Sequence, residues 1–396
     1  MNIKLLKLYK NKIFLLFFGF ICCSTFSTYI SFKLGLPFGV PEIFALIFFP
    51  FFHKEFIYFK KVFLNNFFEI FLIFFILLGL GLIVNNIYAL KVLASSRAYL
   101  YLIIFFFFGH SKFNLDLNKL FYIGIGSIIG GYLNGLLLGD TQGEVRAYSN
   151  LVSFAIIVSY PLIKKRYFIF IFFLLGALYV GFYSGLRRQI AEILLNLVFT
   201  YFLIIIKDGK SFKSLFTKLI LLPILLYNLV GFFVVKIENY FLMNNIYLYN
   251  RIFQKTYRIE NSNQAESSRI SHFANLSDYI YDTVIPKGIY PRLVGFSVNN
   301  SGGSPLDFPL YEIFYTLGSL TTIVLILFFF KTFFINIGSL FTSNKNKDEI
   351  IMISSISILL FCASFFDGSF LQYTFVTPFT GFVLGRFFFL KRNLKT

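Results

Sequence analysis

Residues 67–84 read FFEIFLIFFILLGLGLIV, eighteen positions with one charged side chain, Glu69. As a helix rising 1.5 Å per residue this stretch is about 27 Å long, close to the thickness of a bilayer's hydrocarbon core. The pattern repeats outward in both directions. Apolar segments lie near 13–32, 37–52, 88–109, 120–138, 148–163, 167–183, 189–206, 217–235, 309–330, 350–366 and 370–389. The segment near 37 is short and opens on LPFGVP. Of the 396 residues 57% are hydrophobic and 14% charged, against about 25% charged in a typical soluble chain. The expected fold is an all-α integral membrane protein of about 12 transmembrane helices.

The basic residues sit in short clusters between the apolar runs, so they read as topology signals. With the N-terminus inside, the inner segments collect 23 Lys and Arg. The short outer loops hold 5: Lys33, Lys91, Arg146, Arg187 and Arg188. This asymmetry predicts a multi-pass protein of the bacterial inner membrane with both termini in the cytoplasm. One membrane domain then divides into helices 1–9 over 1–235, a long periplasmic loop over 236–308, and helices 10–12 with a cytoplasmic tail over 309–396.

A net charge of +18 invites a nucleic-acid reading. No aromatic-and-basic platform, zinc pattern or helix-turn-helix accompanies it, so nucleic acid is excluded as a partner. The 60 Phe residues read as lipid-facing filler. Cys22, Cys23 and Cys362 lie in apolar runs, and the long loop has no Cys for a disulfide framework. The basic start before Ile13 resembles a signal peptide but shows no small-x-small cleavage site, so it reads as a retained helix.

A loop as long as 236–308 implies a function. Within it Ile270, Phe273, Leu276, Ile280 and Val284 recur every three or four residues, which predicts an amphipathic helix on the membrane surface or over a cavity. Pro286, Gly288, Pro291 and Gly295 then predict an irregular return to the membrane. In the fifth segment Gly126 with Gly130, and Gly131 with Gly135, have the GxxxG spacing that predicts close helix packing.

The residues that carry chemistry are those that violate the topology rule. Arg187 and Arg188 stand at an outward turn, YSGLRRQ, where positive charge is disfavoured. Arg97 lies inside the fourth segment, and Arg251, Arg258, Arg269 and Arg292 lie in the long loop. Guanidinium groups gathered on one side form an anion site, since the planar fork matches phosphate bidentately. Snorkelling or solvation is the competing reading for each arginine. Asp307 and Glu312 fall where the loop re-enters the membrane, in SPLDFPLYEIF. A half-buried carboxylate there suits a general base, and Asp307 suits a helix N-cap equally well. His272 is the one outward histidine, and no metal-ligand spacing appears.

At these residues the chain resembles the O-antigen polymerase (Wzy) family, related to the O-antigen ligases. A Ser-Gly-x-Arg turn (Ser184, Gly185, Arg187), a long outer loop with a helix-borne Arg269, and Pro286-Lys287-Gly288 carry the likeness. So does a re-entry motif in which Asp307 stands at the usual His position, followed by Leu310, Glu312 and Gly318. The resemblance implies a GT-C-like, metal-independent membrane glycosyltransferase without cofactor. Its substrates would be oligosaccharides linked to undecaprenyl pyrophosphate, and a chain-length regulator protein would be a partner. Asp307, Arg187 and Arg269 would then be catalytic. Arg188, Arg97, Arg292, His272, Glu312 and Tyr290 would bind pyrophosphate and glycan. The competing functions are an O-antigen ligase acting on lipid A core, a polysaccharide flippase or transporter, and a structural membrane subunit. The single long loop speaks against a flippase built from two similar bundles.

Overall fold

Inside a bilayer no water is available to the backbone, so a spanning segment satisfies its own N–H and C=O groups by coiling. The computed structural model describes residues 12–22, 24, 26, 60–110, 116–138, 151–183, 187–209, 239–240, 242–243, 280–290, 309–342, 346–365 and 376–393. Among the described residues there are eleven α-helices of eight residues or more and no strand. They are α1 Lys12–Cys22, α2 Phe67–Val84, α3 Ala89–Gly109, α4 Leu117–Leu138, α5 Leu151–Ile163, α6 Tyr167–Tyr183, α7 Arg187–Lys207, α8 Pro309–Leu317, α9 Ser319–Thr342, α10 Lys347–Ala363 and α11 Thr377–Asn393.

Among these residues three helices are long and apolar enough to cross a membrane: Phe67–Val84, Ile190–Lys207 and Ser319–Phe341. A fourth is added when Asn86–Leu93 and Ser95–Gly109, bent by 49°, count as one span. Four further apolar helices are shorter, among them Leu151–Ile163 and Thr377–Leu390. The described residues are thus those of an all-α protein, with three or four helices able to span a membrane. The expected segments 37–52 and 217–235 lie outside the described residues.

The expected helix over 309–330 is corrected by Gly318. Its φ of +81° is a left-handed conformation that closes α8, and its N–H bonds the Phe314 carbonyl at 2.8 Å. The chain restarts as α9, which carries the span through to Phe341. Lys331, which the expected bounds 309–330 put just past the segment's inner end, lies instead midway along α9 on an exposed face. Near the bend in α3 the Ser96 Oγ donates to the Leu93 carbonyl at 2.6 Å.

The core forms around α5, buried at every position and packed on α4, α6, α7 and α10. α2 and α9 are peripheral, and their exposed Phe, Leu and Ile side chains suit lipid contact. Two helix crossings depend on glycine. Gly126 and Gly130 of α4 meet the Leu16 carbonyl and Ser24 at α1, as their spacing predicts. Gly381 and Gly385 of α11 sit on the Leu102 and Phe106 carbonyls of α3, while Gly109 of α3 faces Phe382. A Cβ at any of these positions would collide with backbone or a short side chain, so the helices approach only because it is missing.

Candidate functional site

The bundle has two chemically different ends. At one, Asp348 at the start of α10 accepts hydrogen bonds from Lys164 and Lys207, each at 2.7 Å, beyond the ends of α5 and at the end of α7. Lys165 pairs with Asp208 at 3.6 Å. Burial raises the Asp348 carboxyl, but the hydrogen bonds and charges of the two lysines outweigh it and hold it below its ordinary value. A hollow of about 570 Å³ opens here, lined by Asp116, Asn118, Tyr160, Lys164, Lys207 and Asp348. These are the loops that carry the charge excess read from the sequence.

The other end is built from α2, α3, α8 and the strap 280–290. The strap is pinned from three sides. The Ile289 N–H bonds the Leu77 carbonyl of α2 at 2.9 Å, the Lys287 N–H bonds the Tyr315 carbonyl at 2.9 Å, and the Ser319 N–H bonds the Thr283 carbonyl at 2.8 Å. Gly288, at φ +78°, fits against Leu77, Leu80 and Gly81, and Gly81 in turn leaves room for the Ile289 backbone. Leu77 precedes the end of α2 by seven residues, so the strap reaches about 10 Å below that end. Irregular backbone at such depth is tolerated where protein covers it. Thr283, Gly288 and Ile289 are indeed buried.

Beside the strap lies a polar cluster. Glu312 of α8 is 3% exposed, and its carboxylate accepts a hydrogen bond from the Tyr99 hydroxyl of α3. The Thr316 hydroxyl stands 3.2 Å from that of Tyr99. The Tyr315 hydroxyl donates to Asn85 Oδ1 at 2.8 Å, and Asn85 Nδ2 donates to the Gly81 carbonyl at 3.0 Å, closing α2. Tyr290 meets the Tyr315 ring edge-on at 5.1 Å. Burial first, then the charges of Glu312 and Tyr315, push the Tyr290 phenol above its ordinary value. It therefore remains a protonated donor at neutral pH.

Of the residues expected at the site, Glu312 and Tyr290 come together here. Arg97 lies on α3 two residues before Tyr99 and is exposed. Arg187 and Arg188 are the first residues of α7. α7 and α10 pack together with Lys207 and Asp348 meeting at one end, so the two helices run in opposite directions. The head of α7 thus lies about 30 Å along its axis from Lys207, at the end where Ser364 accepts from the Leu310 N–H of α8 at 3.0 Å. Asp307, Arg269, Arg292 and His272 lie outside the described residues. So does the expected amphipathic helix, except for its last turn at 280–282.

The sequence reading passed over Tyr99, Asn85 and Thr316, and gave Lys287 no role beyond its place in the Pro-Lys-Gly stretch. It also passed over a buried ladder on α7, where Glu192, Asn196 and Thr200 recur at every fourth position. Asn196 Nδ2 donates to Ser159 Oγ of α5 at 2.9 Å, and Ser159 and Thr200 hydroxyls stand 2.9 Å apart. The spacing of four was a usable signal, since three polar residues on one face of an apolar helix imply a polar contact.

No protein-family model, curated protein or solved structure matches the chain.

Proposed function

We propose that the chain polymerises oligosaccharide repeat units carried on undecaprenyl pyrophosphate, at the periplasmic face of the bacterial inner membrane, by a GT-C-like glycosyl transfer. The observation that carries the reading is the placement of the arginine head of α7 at the same end as the buried Glu312 cluster, opposite the lysine-rich end.

The chemistry follows from the leaving group. A sugar hydroxyl of the incoming unit attacks the anomeric carbon of the growing chain. The new C–O bond forms as the anomeric bond to the diphosphate breaks, and the hydroxyl proton passes to a base. Negative charge grows on the diphosphate oxygens, where Arg187, Arg188 and Arg269 would stabilise it at a low-dielectric boundary. The first N–H groups of α7 point the same way, because a helix N-terminus favours an anion. Asp307 is the base in this scheme. Glu312 lies too deep to meet substrate and would act through Tyr99 and Tyr290, with Tyr290 presenting a hydroxyl to the glycan.

The experiment is complementation of a deletion strain that makes long-chain surface polysaccharide. Arg187→Ala and Arg269→Ala are expected to leave single repeat units in place of long chains. Long chains retained in both variants would sink the proposal. Loss of single units as well would point to a flippase, and accumulation of long chains on the lipid carrier would point to a ligase.

A further inference from the structure

Lys287 is an outward cation that the reading above leaves without a task. Its backbone is fixed by the bond from its N–H to the Tyr315 carbonyl and by the left-handed Gly288 that follows. Its ammonium lies over the Tyr315 ring, 5.7 Å from the centroid. That ring is itself held by Asn85 and by the edge of Tyr290. Among the described residues no carboxylate pairs with Lys287. An ammonium offers three donors, and a ring face takes up only one side of the charge. At the same α2–α3 corner Lys91 lies over Tyr88 at 4.7 Å.

The strap also carries exposed apolar side chains. Tyr281 is 78% exposed and Ile285 77%, with Val284 between them also exposed. Thr283, between Tyr281 and Ile285, meets Ser319 at the start of the span in α9, so these side chains flank the point where that span begins. The Tyr315 hydroxyl bonds Asn85 at the end of α2, so the ammonium over that ring stands near the same end, and exposed aromatic and aliphatic groups beside a fixed lysine there have the chemistry of an interfacial element.

We propose that Lys287 binds the phosphate of a lipid ligand at the outer membrane surface, with Tyr281 and Ile285 seated in the acyl boundary beside it. Resting on the glycosyl-transfer reading, the ligand is the diphosphate of the polyprenyl carrier, and Lys287 joins the arginines in holding it. A bulk lipid headgroup offers the same chemistry.

The chain has no tryptophan, so Tyr281→Trp gives a single fluorescent reporter on the strap. The full chain carrying it is reconstituted in phosphatidylcholine nanodiscs and titrated with farnesyl diphosphate, farnesol and inorganic pyrophosphate. Farnesyl diphosphate is expected to change the emission saturably, farnesol is not, and pyrophosphate is expected to compete. Lys287→Met keeps the apolar stem over Tyr315 and removes the charge, so binding should weaken about tenfold or more. Lys287→Arg should retain it, and its folding is checked beside Lys287→Met by thermal unfolding.

Equal binding by wild type and Lys287→Met, or by farnesol and farnesyl diphosphate, overturns the proposal. An emission change on exchanging phosphatidylcholine for phosphatidylglycerol, lost in Lys287→Met and insensitive to farnesyl diphosphate, supports a headgroup as the ligand. The two readings fail separately. Unchanged binding in Lys287→Met with polymer lost in Arg187→Ala removes this site and leaves the polymerase. Weakened binding in Lys287→Met with polymer retained in both arginine variants leaves the site and removes the polymerase.

Discussion

Glu312 is a carboxylate that water hardly reaches, so its hydrogen-bond partners decide what it costs to bury it. The Tyr99 hydroxyl is one such partner, and Tyr290 stands close enough for the Glu312 charge to raise its phenol. Tyr99→Phe removes the donor and leaves the acid in place, at a cost of about 1–3 kcal/mol. The expected outcome is a lower thermal midpoint in detergent. Adding Glu312→Gln should restore part of it, because a neutral amide tolerates the loss better. An additive double variant would show that the two side chains do not act together. Glu312 was legible in the sequence because an acid among apolar residues stands out. Tyr99 was not, since nothing local marks one tyrosine among 25 and its partner lies 213 positions away.

Between elements the same spacing rule was read once and missed once. Gly126 and Gly130 predicted a close crossing, and α1 fills it. Gly381 and Gly385 repeat the spacing in α11 and bring it onto α3 in the same way. Gly385→Leu would drive a branched side chain into the Phe106 carbonyl, and the two helices would have to part. Loss of folded protein from membranes is expected, with Gly385→Ala less severe and Gly79→Ala, where a Cβ meets nothing within 4 Å, neutral. The break between α8 and α9 was hidden for a different reason. Hydropathy runs through Gly318, and only its positive φ and its fit against Val284 and Pro286 of the strap end the helix there. Asp348 ties three elements, α5, α7 and α10, through Lys164 and Lys207. Its folded pKa lies below the ordinary 3.8, so the clamp stabilises fully above that value and is lost as pH falls through the folded pKa. Asp348→Asn should lower the thermal midpoint at pH 7 and flatten its fall on acidification below pH about 4. An unchanged acid limb in the variant would assign that limb to other carboxylates.

On the scale of the whole molecule, charge and packing give one account. The loops with excess lysine meet around Asp348, and the strap, the Glu312 cluster and the head of α7 gather at the opposite end. Counting charges separated the lysines that meet around Asp348 from the arginines at the head of α7, and these two groups stand at opposite ends. It could not find the strap's docking, which depends on Gly81 and Gly288 meeting across more than two hundred positions. The proposed chemistry, set at the periplasmic face, requires the strap end to face the periplasm. Single cysteines test this in intact cells on a background with Cys22, Cys23 and Cys362 replaced by serine. Asn86→Cys and Asp282→Cys, both exposed at the strap end, should react with an impermeant maleimide before the membrane is opened. Lys165→Cys, exposed at the lysine end, should react only afterwards. The reverse pattern would put Arg187, Arg188 and Lys287 on the cytosolic side. No periplasmic diphosphate could then reach them, and the arginines would return to the role of inner-face topology charges.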